Sequence, residues 1–310
     1  MEKTKRYFTN NKNILFMAII CTMLWGSAFP AVKTGYKLFD IKNSVEGQIL
    51  FAGIRFTIAG ILTIIAACII NKKIVKPTRN NIKGITILGI IQTTIQYIFY
   101  YIGMSNTTGV KASILNAISP FIVILICHFI TKNDRINKKK AIGCILGFLG
   151  VIILNLSKSQ GFDSSFNFLG EGFIILSSTS FAIASIYSKK IANTGDSATI
   201  TGYQLFIGGI ILILISFIKG IPHLSITFEG ILLLAYMALL SAVAFTIWTI
   251  LLKYNSAGKI SIYNFLTPIF GALMSAIFLG EEFFNILNLI ALLSVCSGIY
   301  IINKPDKKFK

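Results

Sequence analysis

Acidic side chains are scarce in this sequence, and none lies at the centre of an apolar run. The 310 residues include 11 Asp and Glu against 29 Lys and Arg, and only 13% are charged, whereas a soluble domain has about a quarter. The two histidines, His128 and His223, lie near the ends of apolar runs. This shortage argues against a proton relay or sodium site built on a central carboxylate, and against a membrane protease or metal hydrolase.

Motifs for cofactors and nucleic acid are missing as well. The five cysteines lie inside apolar runs without CxxC or Cys/His spacing, which predicts small buried side chains, no disulfide framework and no metal site. No Walker motif predicts an ATP site. The net charge of +18 comes from residues in short loops between apolar runs, where they fix membrane orientation and meet anionic lipid headgroups. We therefore expect no cofactor, no enzymatic activity and no nucleic-acid partner.

Long apolar runs dominate what is present. Hydrophobic residues make up 55% of the chain, the mean hydropathy is +0.76, and each run is continuously apolar rather than alternating. Because lipid offers an unpaired backbone no water, such runs should be helices, and an alternating-strand barrel is excluded. The first run resembles a signal peptide, but many further runs follow it, so an uncleaved first span is predicted. The ten runs are about 14–38, 48–70, 84–104, 110–130, 141–156, 171–188, 199–218, 228–252, 260–279 and 284–302.

The basic residues predict the orientation of these ten spans. Alternate loops and the two termini carry 22 of the 29 Lys and Arg residues. The positive-inside rule then places both termini in the cytoplasm, which requires an even number of spans. We expect a multi-pass protein of the inner or plasma membrane.

An internal repeat divides the chain into two halves. A shift of 148 residues brings Asn116 onto Asn264 and Pro120 onto Pro268, and Lys111 onto Lys259. The predicted domains are 14–157 and 170–303, joined by a polar linker at 158–169. Because each half has five spans, the second half enters from the opposite side, and the fold class is an all-α integral membrane protein of two inverted five-helix repeats.

Polar residues on the third span are the first candidates for a binding site. Gln92, Gln96 and Tyr100 recur every four residues and so share one helix face, and Tyr100 is equivalent to Trp248 in the second half. Amide groups beside an aromatic wall would suit a small polar organic solute. The alternatives are hydrogen bonds between helices and an interfacial aromatic belt.

The two asparagines of the repeat are further candidates. Asn116 and Asn264 each precede a proline, Pro120 or Pro268, by four residues. A proline inside a helix leaves the carbonyl four residues earlier without its donor. Each asparagine, together with its proline, could bind a ligand or act as a hinge. The alternative is that the proline only kinks the helix. We expect both asparagines to face one cavity.

Three further candidates lie on other spans: one on the first span of each half, and one on the second span of the chain. Trp25 begins the segment WGSAFP, and Ser180 belongs to the equivalent segment SSTSF. Both segments could line a cavity or allow close helix packing through small residues. Arg55 is the only basic residue well inside a span. It could reach the outer surface with its long side chain or bind a substrate carboxylate.

The chain resembles the drug/metabolite transporter superfamily, in particular its two-copy EamA exporters. The resemblance rests on WGSAF, RFTIAG and above all NFLTPIFGALMSAIFLGEE, with ASILNAISPFIVIL as a weaker first copy. It implies ten helices in two inverted repeats around a central cavity, and the export of amino acids or other small metabolites. In the first copy Asn133 and Asp134 stand where Glu281 and Glu282 stand in the second.

We therefore expect an exporter of a small organic solute such as an amino acid or metabolite. It should work by alternating access, as a monomer or homodimer. Substrate and membrane lipids are the expected partners. The substrate-binding candidates and the two proline hinges are Trp25, Gln92, Gln96, Tyr100, Asn116, Ser180, Trp248 and Asn264, with Pro120 and Pro268. A flippase for a lipid-linked substrate and a membrane assembly protein are the alternatives.

Overall fold

Every regular element in the described part of the chain is helical. The computed structural model describes residues 2–107, 112, 115–130, 135–156, 167–221, 224–279 and 286–303. In order, the elements are α1 (Glu2–Thr9), α2 (Asn11–Leu38), α3 (Val45–Asn71), α4 (Ile82–Leu88), a π-helix (Gly89–Ile95), α5 (Gln96–Asn106), α6 (Ser119–Ile130), α7 (Lys138–Leu156), a second π-helix (Phe168–Gly172), α8 (Phe173–Ala192), α9 (Ser197–Lys219), α10 (Phe228–Tyr254), α11 (Ala257–Ser261), a 3₁₀ helix (Ile262–Phe265), α12 (Leu266–Leu279) and α13 (Ile286–Asn303). The all-helical prediction is confirmed for these residues.

Six of the described helical segments are long and apolar enough to cross a membrane. The remaining predicted spans contain shorter described helices, such as the twelve-residue α6, so the count of ten stays a prediction. The six segments are Asn11–Leu38, Val45–Asn71, Ile82–Asn106, Phe168–Ala192, Ser197–Lys219 and Phe228–Tyr254.

The outer surface of the bundle is apolar. Ile69, Phe129 and Ile218 are 71%, 78% and 84% exposed, and many other large apolar side chains are also exposed. A soluble monomer rarely exposes contiguous apolar surface of this kind. The surface therefore faces lipid, as the composition predicts.

Several helices begin at a residue whose side chain caps the first turn. Ser44 accepts a hydrogen bond from the Gly47 amide at the start of α3. Asp196 and Thr227 accept corresponding bonds at the starts of α9 and α10. Each side chain pairs an amide that the helix itself leaves unsatisfied, so these starts follow from the local sequence.

Glycines allow α3 and α9 to pack backbone against backbone. A Cβ atom added at Gly60 would lie 2.4 Å from the Phe206 amide nitrogen, and one added at Gly209 would lie 2.5 Å from the Thr57 nitrogen. Small residues at such crossings are the usual way in which membrane helices approach closely. This pair of helices forms one of the most extensive contacts in the molecule.

The two repeat prolines do not kink continuous helices. Pro120 is the second residue of α6, after a turn at 117–118. Pro268 is the third residue of α12, directly after the 3₁₀ helix Ile262–Phe265. Proline is tolerated in the first turn because its missing N–H would have no helical partner there. The expectation of a proline-kinked helix is therefore corrected to a break followed by a new helix.

A candidate substrate cavity between the two halves

A small cavity lies inside the bundle where two apolar clusters meet. Trp25 packs against both clusters, one around Ile14, Leu251 and Ile260 and the other around Tyr36, Phe51 and Met237. The cavity volume is about 50 Å³, well below the ~300–1,000 Å³ of typical ligand sites. Both halves of the chain contribute to its lining, which consists of Trp25, Ala28, Phe29, Arg55, Gln96, Tyr97, Tyr100, Asn116, Phe181, Phe245, Asn264 and Thr267.

The two repeat asparagines both line this cavity. The Asn264 amide donates to Ser119 Oγ at 3.2 Å, and its carbonyl oxygen accepts from Thr267 Oγ1 at 2.9 Å. The Asn116 carbonyl oxygen accepts from Ser178 Oγ at 3.2 Å. Both asparagines thus lie in the lining of one cavity, and their role in binding stays a prediction. The Asn264 amide also ties the break before α12 to the start of α6.

Aromatic rings form most of the remaining wall. Trp25 makes edge contacts with Phe181, Phe245 and Trp248, with ring centroids 5.8, 5.6 and 4.9 Å apart. On the side of the third span, Tyr100 meets Phe29 at 6.1 Å. Such walls offer a solute apolar contact and the negative faces of aromatic rings.

Arg55 supplies the charge of the cavity. The sequence left two roles open for it, reaching the outer surface or binding a substrate carboxylate, and it was not among the final substrate-binding candidates. Its side chain is only 1% exposed, so it does not reach the outer surface. Nε donates to Ser241 Oγ at 2.9 Å and to the Met237 carbonyl at 3.3 Å, and Nη1 donates to the Tyr101 hydroxyl at 3.1 Å. The sequence signal behind the second role is that Arg55 is the only basic residue well inside an apolar run.

The third span brings only two of its three predicted residues into the cavity. Gln96 and Tyr100 line it, whereas Gln92 is buried elsewhere. The four-residue spacing assumes a regular α-helix, but Gly89–Ile95 is a π-helix. Each π turn holds about one residue more than an α turn, which shifts Gln92 off the face that carries Gln96.

Two other predicted residues also lie outside the lining. Ser180 Oγ donates to the Ile91 carbonyl at 2.7 Å and so holds α8 against the third span. Trp248 is fully buried behind Trp25. Trp248 is equivalent to Tyr100 by repeat position, but it does not line the cavity as Tyr100 does. The neighbouring Trp25 side chain forms the cavity wall at that point.

Some features noted in the sequence cannot be placed. Lys111, Glu281 and Glu282 lie outside the described residues, as do Asn133 and Asp134. Among the residues that are described, there is no group of three or more His, Cys, Asp or Glu that could hold a metal ion.

Comparison with known proteins identifies the family of this helical bundle. The EamA-like transporter family matches residues 12–156 and, a second time, residues 168–304. The chain belongs to the EamA-like transporter family. Both matched segments contribute residues to the cavity, and the protein is a multi-pass membrane protein of a transporter family.

Similar proteins extend over almost the whole chain. An uncharacterized transporter of Archaeoglobus fulgidus is 26% identical over 276 residues, which cover 88% of this chain and 91% of that protein. The uncharacterized transporter YoaV of Bacillus subtilis is 26% identical over 290 residues, covering 93% and 96%. A solved crystal structure, 16% identical, superposes with a TM-score of 0.76 over 95% of this chain and 97% of its own, which shows a shared fold.

Proposed function

We propose that this EamA family member carries a small organic solute, such as an amino acid or related metabolite, across the cell membrane by alternating access. The observation that supports this most is the cavity itself. Amide, guanidinium and aromatic groups from both halves converge at one place in an apolar bundle. Polar groups in that setting are costly unless they serve a solute pathway or one another.

The helix contacts support two inverted repeats with domains 14–157 and 170–303. The largest contacts join equivalent helices, α3 with α9 and α7 with α13. Other contacts occur in matched pairs: α2 packs on α12 as α8 packs on α6, and α2 packs on α10 as α8 packs on α5. Exchanging the halves converts each of these contacts into its partner, as a pseudo-two-fold axis would. With five helices in each half, such an axis lies in the membrane plane.

The breaks before α6 and α12 provide the moving parts of the mechanism. Pro120 and Pro268 lie in the first turns of helices that pack on opposite halves, α6 on α8 and α12 on α2. Rotation at one break would widen the cavity towards one side of the membrane, and rotation at the other towards the opposite side. Widening is required, because about 50 Å³ holds only a few water molecules.

For the direction of transport and the orientation in the membrane, we propose what the sequence predicts. We place both termini in the cytoplasm of the cell membrane, with net export of the solute, as the family resemblance implies. The transport unit is a monomer or homodimer, and membrane lipids cover its outer surface.

A flux measurement tests this function directly. Purified protein is reconstituted into liposomes loaded with a small-molecule extract, and solutes that leave are identified by mass spectrometry. We expect a few organic solutes to leave faster than from protein-free liposomes, by a saturable process. Equal release from both preparations, for every solute and in both directions of loading, would refute the transport proposal.

The glutamine pair on the third span offers a matched test of the cavity. We expect Gln96→Ala to slow flux at least about tenfold, since it removes an amide that contacts the solute path. Gln92→Ala, four residues away and outside the lining, should leave flux nearly unchanged. Initial rates are compared at equal membrane abundance, and equal rates for the two variants would contradict the assignment.

A flippase is the second candidate, because the bundle also has a lateral apolar groove. This groove of about 460 Å³ lies between α2, the α11–α12 segment and α13, with Tyr263, Leu266 and Phe270 on its wall and Lys12 among its lining residues. None of its lining residues also lines the central cavity. Transfer of a fluorescent lipid between leaflets in the same proteoliposomes would favour this function over solute transport.

A further inference from the structure

Arg55 is a buried cation that no carboxylate neutralises in the described part of the protein. Only three neutral oxygen atoms accept from it, and Nη2 has no hydrogen-bond acceptor among the described residues. The guanidinium carbon lies 4.8 Å from the ring centre of Phe56 and 5.9 Å from that of Tyr97. Aromatic faces offset part of the loss of water, but a buried charge without a counter-ion remains unfavourable.

Other polar atoms around the cavity are also without partners. The indole nitrogens of Trp25 and Trp248 and the amide oxygen Oε1 of Gln96 are buried and make no hydrogen bond. Trp25 and Gln96 line the cavity together with Arg55. Buried polar atoms are nearly always paired in native proteins. The atoms of Trp25 and Gln96 are two of the eight unpaired ones among the described residues, and a ligand in the cavity would supply the partners that they lack.

The unpaired groups define the chemistry of that ligand. Nη2 of Arg55 and the indole N–H of Trp25 are donors, so they would suit a group that only accepts hydrogen bonds, whereas Oε1 of Gln96 is an acceptor that such a group does not satisfy. A guanidinium binds a carboxylate through strong charge-assisted bonds and supplies the charge that neutralises it. The aromatic wall then surrounds the remainder of the molecule.

We propose that the transported solute is a small organic monocarboxylate with an apolar or aromatic body, and that Arg55 binds its carboxylate. This proposal rests on the transport function above and narrows its substrate class. Among the small organic solutes of that function, it favours a carboxylate without an α-ammonium group over an α-amino acid. An α-ammonium group would lie within a few ångströms of the guanidinium, and the cavity lining contains no Asp or Glu to balance it.

Equilibrium binding to the purified protein tests this inference without any flux. The chain has only two tryptophans, and both belong to this site or pack directly behind it, so ligand binding should alter their fluorescence. Three probes of nearly equal size are compared at neutral pH: hydrocinnamate, its neutral amide and zwitterionic phenylalanine. Excitation at the red edge of indole absorption avoids the phenyl ring, and equilibrium dialysis of radiolabelled probe gives a second readout.

We expect hydrocinnamate to bind about tenfold to hundredfold more tightly than its amide or phenylalanine, as loss of a charged hydrogen bond would predict. Arg55→Gln should remove this preference, and Arg55→Lys, which keeps the charge but loses the planar fork, should retain part of it. Lys37→Gln removes an exposed charge at the end of α2 and should retain the full preference.

Equal or tighter binding of the amide or of phenylalanine overturns the proposal, and so does absence of binding by all three probes. An unchanged preference in Arg55→Gln also overturns it. The comparison of probes on the unmodified protein remains decisive if Arg55 variants fail to fold. Flux of a different class of solute would leave the transport function standing while this inference fails.

Discussion

Replacing Gly60 with alanine is expected to destabilise the protein by ~1–3 kcal/mol, the usual cost of overpacking. The added Cβ would lie 2.4 Å from the Phe206 nitrogen and 2.8 Å from the Gly202 carbonyl oxygen. These are backbone atoms of α9, so no side-chain rotation relieves the overlap, and the two helices must separate. Without the overlap, alanine would stabilise the helix by about 1 kcal/mol relative to glycine. A loss of stability in Gly60→Ala therefore indicates that the two helices are in close contact at this position.

Gly220→Ala is the matched control for this substitution. A Cβ at Gly220 would meet only the Glu46 side chain, at 3.9 Å, and its backbone is extended. Thermal stability is measured in detergent by size-exclusion chromatography after heating. We expect a lower midpoint for Gly60→Ala and an unchanged one for Gly220→Ala. A midpoint for Gly60→Ala at or above that of the unmodified protein would show that α3 and α9 do not cross this closely.

Asn264→Leu is expected to abolish most transport, with a loss of at least about tenfold in initial rate. The Asn264 amide bonds Ser119 Oγ and accepts from Thr267 Oγ1, so leucine removes an amide from the cavity and unpairs two buried hydroxyl groups. Each unpaired group costs ~1–3 kcal/mol. The bond to Ser119 joins the two helix breaks, so its loss should also uncouple the motions proposed for α6 and α12.

Two further variants separate these effects in the same flux assay. Asn116→Leu should also reduce flux, because Asn116 lines the same cavity, whereas Asn71→Leu should not. Asn71 lies at the end of α3, where its side-chain amide donates to the Ala67 carbonyl of its own helix. Normal flux in Asn264→Leu at full membrane abundance would contradict the role of this bridge.

The Asn116–Asn264 pair shows which part of the site the internal repeat could predict by itself. A shift of 148 residues was enough to relate the two asparagines, and both line one cavity. The same shift paired Tyr100 with Trp248, yet only Tyr100 lines it. Repeat position assigns a residue to an equivalent helix, but which residue forms the wall depends on the neighbours, here Trp25.

Gln92 shows where helix periodicity was insufficient. The spacing of Gln92, Gln96 and Tyr100 assumes a uniform α-helix, and no residue type in GIIQTTI marks a π turn. The turn is seen only in the packed structure, where Gly89 lies against the Gln204 carbonyl of α9 and Thr93 bonds the Gln204 side chain. Contacts between helices therefore decided the register of this face.

The sequence by itself determined that this protein lies in a membrane, that it is helical and which family it belongs to. These properties depend on composition, on the length of the apolar runs and on local motifs. Lipid leaves an apolar run little choice but a helix. The tertiary structure decided the cavity and the position of Arg55 within it. A single charge in an apolar run can reach the surface or remain inside, and only the oxygen atoms of Met237, Ser241 and Tyr101, which come from other helices, hold it inside.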